Sequence, residues 1–243
     1  MPSNDTAHTG GNSGPLPGGA ATAAGPTAGP TEAGPSAGAA AGPTQRSQAK
    51  ENRRQALLAA AASLFARHGF TRVSLEDLGA AAGISGPAVY RHFPGKQAVL
   101  AALLVTVSEE LLAGGRQVVD RHPDPLTALR GLVAFQVEFA LGKPDVIRVQ
   151  DRDFNSLAGP DQAAVRLLQR SYVQVWVDVL VQLHPGIDPA ELRMRAQATF
   201  GLINSTPHSV SGHGRRVASK TARPLLEAMA AAALTVGTPG PAS

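Results

Sequence analysis

A short segment at residues 85–96 gathers side chains suited to binding nucleic acid. Tyr90 and His92 can donate hydrogen bonds to phosphate oxygens. Lys96 adds a positive charge beside a predicted helix start, where backbone N–H groups also attract phosphate. Three small or apolar residues permit close approach to base edges and to thymine methyl groups: Gly86, Pro87 and Ala88. The segment therefore has the chemistry of a helix that reads DNA.

Two predicted helices joined by a tight turn must position this segment. Ser74 is a favourable N-cap and Asp77 can complete a capping box, so the first helix is predicted to begin at Leu75. Leu75 and Leu78 recur at helical spacing and indicate one buried face. Gly83 is predicted to end this helix with a positive φ, because glycine adopts that conformation without steric cost.

The second helix has its own start signals: Ser85 can cap it, and Pro87 in its first turn costs no hydrogen bond. Val89 and Phe93 lie four residues apart and are predicted to point inward. The pair of helices therefore forms a helix-turn-helix. Ordinary all-α packing would also accommodate two such helices, but the aromatic and basic residues over 90–96 favour DNA binding.

The positive charge of the chain is concentrated in and just before this motif. Residues 46–96 contain eight basic and three acidic residues, whereas the net charge of the whole chain is only +4. Such a local excess is typical of an electrostatic footprint on DNA, although a merely solvated basic helix would carry the same charge. Arg53, in a predicted helix over residues 47–68, is expected to contact a phosphate.

The motifs around this segment resemble the TetR-type bacterial transcriptional regulators. The resemblance covers residues 53–104 and includes three coupled segments: ALLAAAASLFARHGF, SLEDLGAAAGIS and VYRHFPGKQAVLAALL. It implies that six residues contact operator DNA, namely Ser85, Gly86, Pro87, Tyr90, His92 and Lys96. It also implies a divergent C-terminal helical domain that dimerises and binds a small-molecule effector.

Two positions depart from the commonest pattern of that family. Gly79 stands where alanine is usual, and it is expected to weaken its helix by up to about 1 kcal/mol. Gly86 stands where a longer polar or basic side chain often reads a base, which leaves the residue for direct readout open. The complete set of predicted DNA contacts is Arg53, Ser74, Ser85, Gly86, Pro87, Ala88, Tyr90, Arg91, His92 and Lys96.

The remainder of the chain is also predicted to be helical, which makes the fold class all-α. Helical spacing of apolar residues extends over residues 96–120, 126–141, 144–149, 161–184 and 189–209, and from residue 221 or 223 to 236. No strand-like alternation occurs. We expect a disordered Gly-, Pro- and Ala-rich tail over residues 1–45, a three-helix DNA-binding domain over 46–95, and a helical ligand-binding and dimerisation domain over 96–243.

The predicted helix over residues 161–184 is apolar on two faces. One stripe includes Tyr172 and Trp176, and a second stripe consists of Val173, Val177 and Val181. A helix with two apolar faces must bury both, so a symmetric partner subunit is the simplest candidate for the second face. The expected result is a homodimer with a four-helix interface that also includes residues 189–209. The alternative is the central helix of a large monomeric core.

An effector pocket is expected among the helices over residues 126–141, 144–155 and 161–184. Its candidate lining residues are Phe135, Phe139, Arg148, Asp151, Phe154, Tyr172, Trp176, Asn204 and His208. Each aromatic residue is also a common core residue, and the last two polar residues would equally serve to cap a helix. The segments RVQDRDF and GLINSTPHS resemble regulators of acyl-CoA catabolism, which implies an acyl-CoA-type ligand.

Composition argues against several other classes of protein. The absence of cysteine excludes disulfides, thiolate metal sites and a cysteine nucleophile. No apolar run approaches the roughly 18 residues of a membrane helix, and no secretory pattern is present. We therefore expect a cytoplasmic protein that needs no cofactor, metal or membrane.

Two rival functions are less well supported by the sequence than a regulator. A helical enzyme lacks support, because the sequence has no HExxH motif and no glycine-rich phosphate loop after a strand. Two aspartates flank Arg152, and this pattern indicates an ion-pair network. A non-specific DNA-packaging protein would use the basic helix-turn-helix but would not need the long C-terminal region.

Overall fold

The computed structural model describes residues 45–206 and 218–236, and within them the chain forms nine α-helices and no strand. The helices are α1 (Gln45–His68), α2 (Leu75–Ala81), α3 (Gly86–Tyr90), α4 (Lys96–Arg121), α5 (Pro125–Gly142), α6 (Pro144–Asp153), α7 (Gly159–Leu183), α8 (Pro189–Asn204) and α9 (Ser219–Thr235). Short 3₁₀ turns occur at Phe70–Arg72 and Phe154–Ser156. The all-α prediction is confirmed. The predicted tail lies outside the described residues except for Gln45, and so does His208.

The helix-turn-helix forms through the local signals that the sequence contains. The Asp77 N–H donates to Ser74 Oγ at 3.0 Å, and the Ser74 N–H donates to Asp77 Oδ2 at 2.9 Å, which completes the capping box at the start of α2. Gly83 adopts φ 66° in the turn. Ser85 occupies the N-cap of α3, but its side chain makes no capping hydrogen bond.

Gly79 has a packing role that the sequence pattern did not reveal. A Cβ added at this position would lie 2.7 Å from Val89 Cγ2 and 2.9 Å from the Ile84 carbonyl oxygen. Both distances are far below van der Waals contact, so α2 and α3 cross at the glycine. The expected loss of helix propensity at Gly79 is therefore offset by the close approach that it permits.

Two clusters of buried side chains form the core. The first joins α1, α2, α3 and the first half of α4, and it continues into Val146 and Val149 of α6 and Val165 of α7. The second lies among α4, α5, α7, α8 and α9 around Trp176. Leu111 packs against both clusters. Helices α1 to α3 are thus packed directly against the C-terminal helices through α6.

The boundaries of several helices differ from the predictions. Helix α8 ends at Asn204 and not near residue 209, because the chain turns at Ser205, whose hydroxyl donates to the Leu202 carbonyl at 2.8 Å. Helix α6 ends at Asp153, within the segment 144–155 that the sequence predicts to be helical. Helix α9 begins at Ser219, before the predicted start at residue 221 or 223.

The second apolar stripe of α7 is not a free surface for a partner subunit. Tyr172 and Trp176 of the first stripe are buried, as predicted. In the second stripe Val177 is buried in the chain's own second core cluster, Val173 is partly buried and only Val181 is exposed. The second stripe is therefore mostly covered by the same chain. The prediction that it forms a continuous face for a partner subunit is corrected.

Helix α4 requires a second correction. Among the described residues it is the one helix that is long and apolar enough to cross a membrane, although no such run was expected. Half of its most apolar stretch is buried inside the protein. Its apolar character is explained by its contacts with both core clusters.

Candidate nucleic-acid interface

A basic concavity lies between the first turns of α1 and the start of α3. Its described lining consists of Lys50, Arg53, Gly83, Ile84, Ser85, Ala88, Arg91 and His92, none of which is acidic. The structure thus brings Arg53 of α1 beside four predicted DNA contacts of the α3 region. A surface with this charge attracts phosphate, and we call it the basic concavity.

Lys50 belongs to the basic concavity but was not among the predicted contacts. It precedes Arg53 by three residues, and residues at this spacing share one face of a helix. This three-residue spacing is the sequence signal that could have identified Lys50 as a DNA contact. With the predicted start of α1 at residue 47, Lys50 would lie in the first helical turn. The observed helix begins at Gln45, so Lys50 lies in its second turn.

One side of α3 packs against the first core cluster, and the opposite side faces solvent. Val89 and Phe93 are buried as predicted, and they fix the helix against α1 and α2. Pro87, Tyr90 and Arg91 are exposed. The helix therefore presents its first turn and one side to solvent, as a helix must do in order to enter a groove.

Tyr90 and Ser74 already have partners within the protein. The Tyr90 hydroxyl donates to Glu76 Oε1 at 3.2 Å, and this hydrogen bond to a carboxylate raises the pKa of Tyr90. Ser74 Oγ accepts from the Asp77 N–H in the capping box. A phosphate contact by Tyr90 requires its hydroxyl to leave Glu76, and Ser74 has a structural role in α2.

Lys96 already has partners within the protein, and its contact with phosphate stays a prediction. Its Nζ donates to the carbonyl oxygens of Phe70, Thr71 and Val73 at 3.1, 3.0 and 3.1 Å. An ammonium group has three N–H donors, so these bonds use all of them. The same Nζ lies 4.9 Å from the centre of the Phe70 ring. Lys96 therefore ties the start of α4 to the turn between α1 and α2.

His92 is the side chain of the basic concavity whose type changes charge near neutral pH. Partial burial lowers the pKa of His92, and the charges of surrounding cations lower it further. Those cations are Lys50, Arg53, Arg91 and Arg54. The imidazole is consequently biased towards its neutral form in the free protein. An approaching phosphate would oppose that bias, because it favours the imidazolium.

The predicted effector residues Tyr172 and Trp176 form part of a closed aromatic cluster. The ring centroids of Trp176 and Phe200 are 4.8 Å apart, and those of Tyr172 and Phe200 are 5.5 Å apart. Trp176 is fully buried. Both side chains are core residues, and neither lines a cleft formed by the described residues alone.

A polar network crosses the second core beside that cluster. The Tyr172 hydroxyl donates to Gln136 Oε1 at 3.0 Å, and Gln136 Nε2 donates to Asn204 Oδ1 at 3.0 Å. Burial raises the pKa of Tyr172, an effect that the nearby Trp176 indole N–H opposes. That N–H itself has no acceptor of normal hydrogen-bond geometry among the described residues. The predicted candidate Asn204 thus belongs to the network.

The other predicted effector residues are dispersed. Phe135 packs against Gly114 of α4, and Phe139 packs against both core clusters. Phe154 lies under the Arg166 guanidinium, 5.1 Å from its ring centre. Arg148 pairs with Asp145 at 2.9 Å, and Asp151 is exposed. No cleft formed by the described residues alone is lined by these side chains together.

A cleft does lie at the junction of α1, α4 and α6. It is lined by Leu58, Ala62, Leu103, Val107 and Val146 among others, and none of the eight described effector candidates borders it. Its volume is about 280 Å³, which falls below the roughly 300–1,000 Å³ of typical ligand pockets. The cleft is therefore too small for a large effector.

Arg152 connects α6 with the end of α1, a role that the sequence did not indicate. Its Nη1 donates to the Ala66 carbonyl at 3.3 Å and its Nη2 to the Phe65 carbonyl. The guanidinium also holds Asp153 through two hydrogen bonds of 3.0 Å. We call this arrangement the Arg152 clamp. The Arg152–Asp153 pair is one of the two ion pairs in the predicted network, and it lies where α6 contacts α1.

Comparison with known proteins identifies the family. The profile of the bacterial regulatory proteins of the tetR family matches residues 57–103. The HTH-type transcriptional repressor KstR2 of Mycobacterium tuberculosis is 30% identical over 143 residues, which cover 58% of this chain and 70% of that protein. The chain belongs to the TetR family. It is accordingly a transcriptional regulator and not an enzyme.

Solved structures of TetR-family proteins have the same architecture. A TetR-family transcriptional regulator from Bordetella parapertussis superposes with a TM-score of 0.65 at 26% identity, over 74% of this chain and 94% of that one. AibR, solved in complex with isovaleryl coenzyme A and operator DNA, superposes with a TM-score of 0.59 at 19% identity, over 73% and 97% of the two chains. At 19% identity, the likeness to AibR shows a shared fold alone.

Proposed function

We propose that this TetR-family protein is a ligand-responsive repressor that binds a palindromic operator as a homodimer. The observation that carries the proposal is the basic concavity, which flanks an exposed α3 whose buried side is locked by Val89 and Phe93. The second helix of such a motif enters the major groove, and cations beside it contact the flanking phosphates. Lys50 and Arg53 serve as those cations.

The rival proposal is a protein that binds DNA without sequence preference, since a basic surface would serve both functions. The two differ in specificity. Affinities should be measured at one salt concentration for a random duplex and for the DNA that flanks the protein's own gene. A regulator is expected to prefer its operator by about a thousandfold or more. Equal affinities would contradict the operator-binding function.

The homodimer is proposed to form through α8 and α9. Met194 of α8 and Leu225 and Met229 of α9 are large apolar side chains that lie exposed in the single chain, and the two helices pack against each other. A second copy would cover them in a four-helix contact, which is self-complementary about a two-fold axis. This arrangement replaces α7 as the proposed interface.

Sedimentation of two matched variants tests the interface. Met194 is 61% exposed on α8, and Leu167 is 58% exposed on α7. Met194→Glu is expected to yield monomers, because it would bury a carboxylate in the contact, and Leu167→Glu is expected to leave the dimer unchanged. The reverse outcome would place the interface on α7.

The proposed effector is an acyl-CoA-type molecule. The polar network and the Trp176 N–H lie within an apolar core that is closed in the free protein. Once this core opens, the N–H can donate to a ligand carbonyl and the apolar side chains around it can pack against an acyl chain. A second concavity between α7 and α8 is lined by three arginines, Arg166, Arg170 and Arg193, with no acidic residue in its described lining. Guanidinium groups match phosphate geometry. The complex of AibR with isovaleryl coenzyme A supports this ligand class.

The ligand is proposed to act through the Arg152 clamp. Opening of the α5–α7 region around the network would move α6, and the clamp would pass that movement to α1 and the reading helix. A ligand that lowers operator affinity a hundredfold must prefer the released state by about 3 kcal/mol. By linkage, operator DNA must then weaken ligand binding by the same factor.

Calorimetric titration of free and DNA-bound protein with a series of acyl-CoA thioesters tests the effector. We expect weaker binding to the DNA-bound form, and we expect Arg170→Ala to lower affinity about tenfold by removing a charged hydrogen-bond donor. Arg130→Ala, an exposed change on α5, is the matched control. Equal ligand affinity in the free and bound forms would contradict the allosteric mechanism.

A further inference from the structure

The arginine side chains between α7 and α8 have no acidic partners nearby. Arg166 and Arg170 of α7 and Arg193 of α8 line the second concavity described above, which we call the arginine concavity. Within residues 45–206 and 218–236, no carboxylate lies within ion-pair distance of these three guanidinium groups. Arg193 instead donates to Gln174 Oε1. A phosphate group that bridges two of the guanidinium groups would supply the missing negative charge.

Arg166 also has a contact outside the arginine concavity. Its guanidinium carbon lies 5.1 Å from the centre of the Phe154 ring, which is a cation–π contact. Arg170 lies four residues after Arg166, so both side chains project from the same face of α7. A phosphate that draws Arg166 towards Arg170 therefore competes with the Phe154 ring for the same positive charge.

Phe154 begins the short 3₁₀ turn Phe154–Ser156, which connects three helices near the helix-turn-helix. The Arg152 clamp, which bonds α6 to the end of α1, lies directly before this turn. In the first turn of α4, Gln97 Nε2 donates to the Ser156 carbonyl oxygen at 2.7 Å, although the two residues are 59 positions apart. Movement of the turn therefore reaches both α1 and the start of α4.

We propose that a phosphate group bound in the arginine concavity withdraws Arg166 from Phe154, loosens the turn over residues 154–156 and thereby lowers operator affinity. This inference rests on the proposed operator-binding function, and it names the residue through which the phosphate part of an effector acts. It is a separate input from the opening of the core around Trp176, because it needs no acyl chain. A phosphate anion alone is therefore sufficient to act.

The experiment uses the full chain, a duplex that the wild-type protein selects from a randomised pool, and inorganic pyrophosphate at constant ionic strength. Loss of a cation–π contact at an exposed site changes an equilibrium constant by about two- to fivefold. Saturating pyrophosphate should lower wild-type operator affinity by about that factor. Hydrogen exchange should also become faster over residues 154–157, where the Leu157 N–H donates to the Phe154 carbonyl at 3.1 Å.

Two variants remove the two halves of the cation–π contact. Arg166→Met and Phe154→Leu keep apolar bulk, and both should bind the operator about two- to fivefold more weakly without pyrophosphate and show no further drop with it. Arg170→Ala should need more pyrophosphate but reach the wild-type drop at saturation, because its contact between Arg166 and Phe154 is intact. Arg130→Met, an exposed change on α5, is the matched control and should behave as the wild type does.

The outcomes separate this inference from the function on which it rests. A wild-type response to pyrophosphate in Arg166→Met would overturn the inference, since the anion would then act at another site, such as the basic concavity. Equal calorimetric binding of pyrophosphate by the wild type and Arg170→Ala, or no binding by either, would overturn the arginine concavity as a phosphate site while operator binding stands. Equal affinity for the selected duplex and random DNA would overturn operator binding itself, and this inference with it.

Discussion

Replacing Arg152 with alanine is expected to destabilise the protein by about 2 kcal/mol and to uncouple α6 from α1. The arginine donates to the carbonyl oxygens of Phe65 and Ala66 at the end of α1 and holds the Asp153 carboxylate. Alanine would remove all of these bonds. It would also remove a positive charge from the C-terminal end of α1, where the helix dipole favours cations.

The magnitude follows from the exposure of the two charged partners. The Asp153 side chain is 8% exposed, and that of Arg152 is 45% exposed. Breaking a fully buried pair costs about 3–5 kcal/mol, whereas an exposed pair contributes at most about 1 kcal/mol. The Arg152 clamp lies between these limits, because water can reach the guanidinium but hardly reaches the carboxylate that it leaves behind.

Urea unfolding followed by tryptophan fluorescence measures this effect, since Trp176 is the single tryptophan of the chain and is fully buried. A double-mutant cycle with Asp153→Asn should show coupling of about 1 kcal/mol, because the amide no longer leaves a buried charge. Arg148→Ala is the matched control on α6. Its partner Asp145 is 36% exposed, so a loss of about 0.5 kcal/mol or less is expected.

The response of operator binding to the effector separates a loss of coupling between α6 and α1 from a loss of stability. Under conditions where both proteins are folded, Arg152→Ala should still bind operator DNA but respond less to the effector. If Arg152→Ala unfolds at the same urea concentration as the wild type, the energetic reasoning is refuted. If it unfolds earlier but keeps the full effector response, the clamp is structural only.

Three further predictions concern other residues. Lys96→Met should lower the free energy of unfolding by about 2 kcal/mol, because it leaves three carbonyl oxygens without their donor, and thermal unfolding measures the loss. Tyr172→Phe should cost about 1–3 kcal/mol in urea unfolding, because Gln136 Oε1 then lies buried without a donor. Operator affinity should rise as the pH falls from about 8 to about 6, because phosphate raises the pKa of His92 from its lowered value in the free protein.

Each of these predictions has a contradicting result. Wild-type stability of Lys96→Met, together with a reduced salt dependence of DNA binding, would contradict the structural role and favour Lys96 as a phosphate contact. Equal stability of Tyr172→Phe would mean that water replaces the lost donor. His92→Gln should abolish the pH dependence of operator affinity, and an unchanged slope in that variant would assign it to another group. Stability follows the opposite trend, since a lowered pKa of His92 weakens folding as the pH falls below about 6.5.

The sequence by itself determined the helix-turn-helix, because its signals are local. The two residues of the capping box are three positions apart, a positive φ concerns one glycine, and the inward pair Val89 and Phe93 is four positions apart. Interactions at such short separations are set by the chain next to them, so their geometry can be read from the order of residues. The same locality explains why the all-α class was predicted correctly.

Only the tertiary structure decided the roles of residues whose partners are far away in the chain. Lys96 looked like a free cation beside a helix start, yet its partners lie 23–26 residues earlier. Arg152 bonds to carbonyl groups 86 and 87 residues away. A charged side chain can meet phosphate, carboxylate or carbonyl equally well, and its type does not say which. The packing of α6 against α1 makes that choice for Arg152. The packing of α7 against α4, α5 and α8 makes Tyr172 and Trp176 core residues of the second cluster.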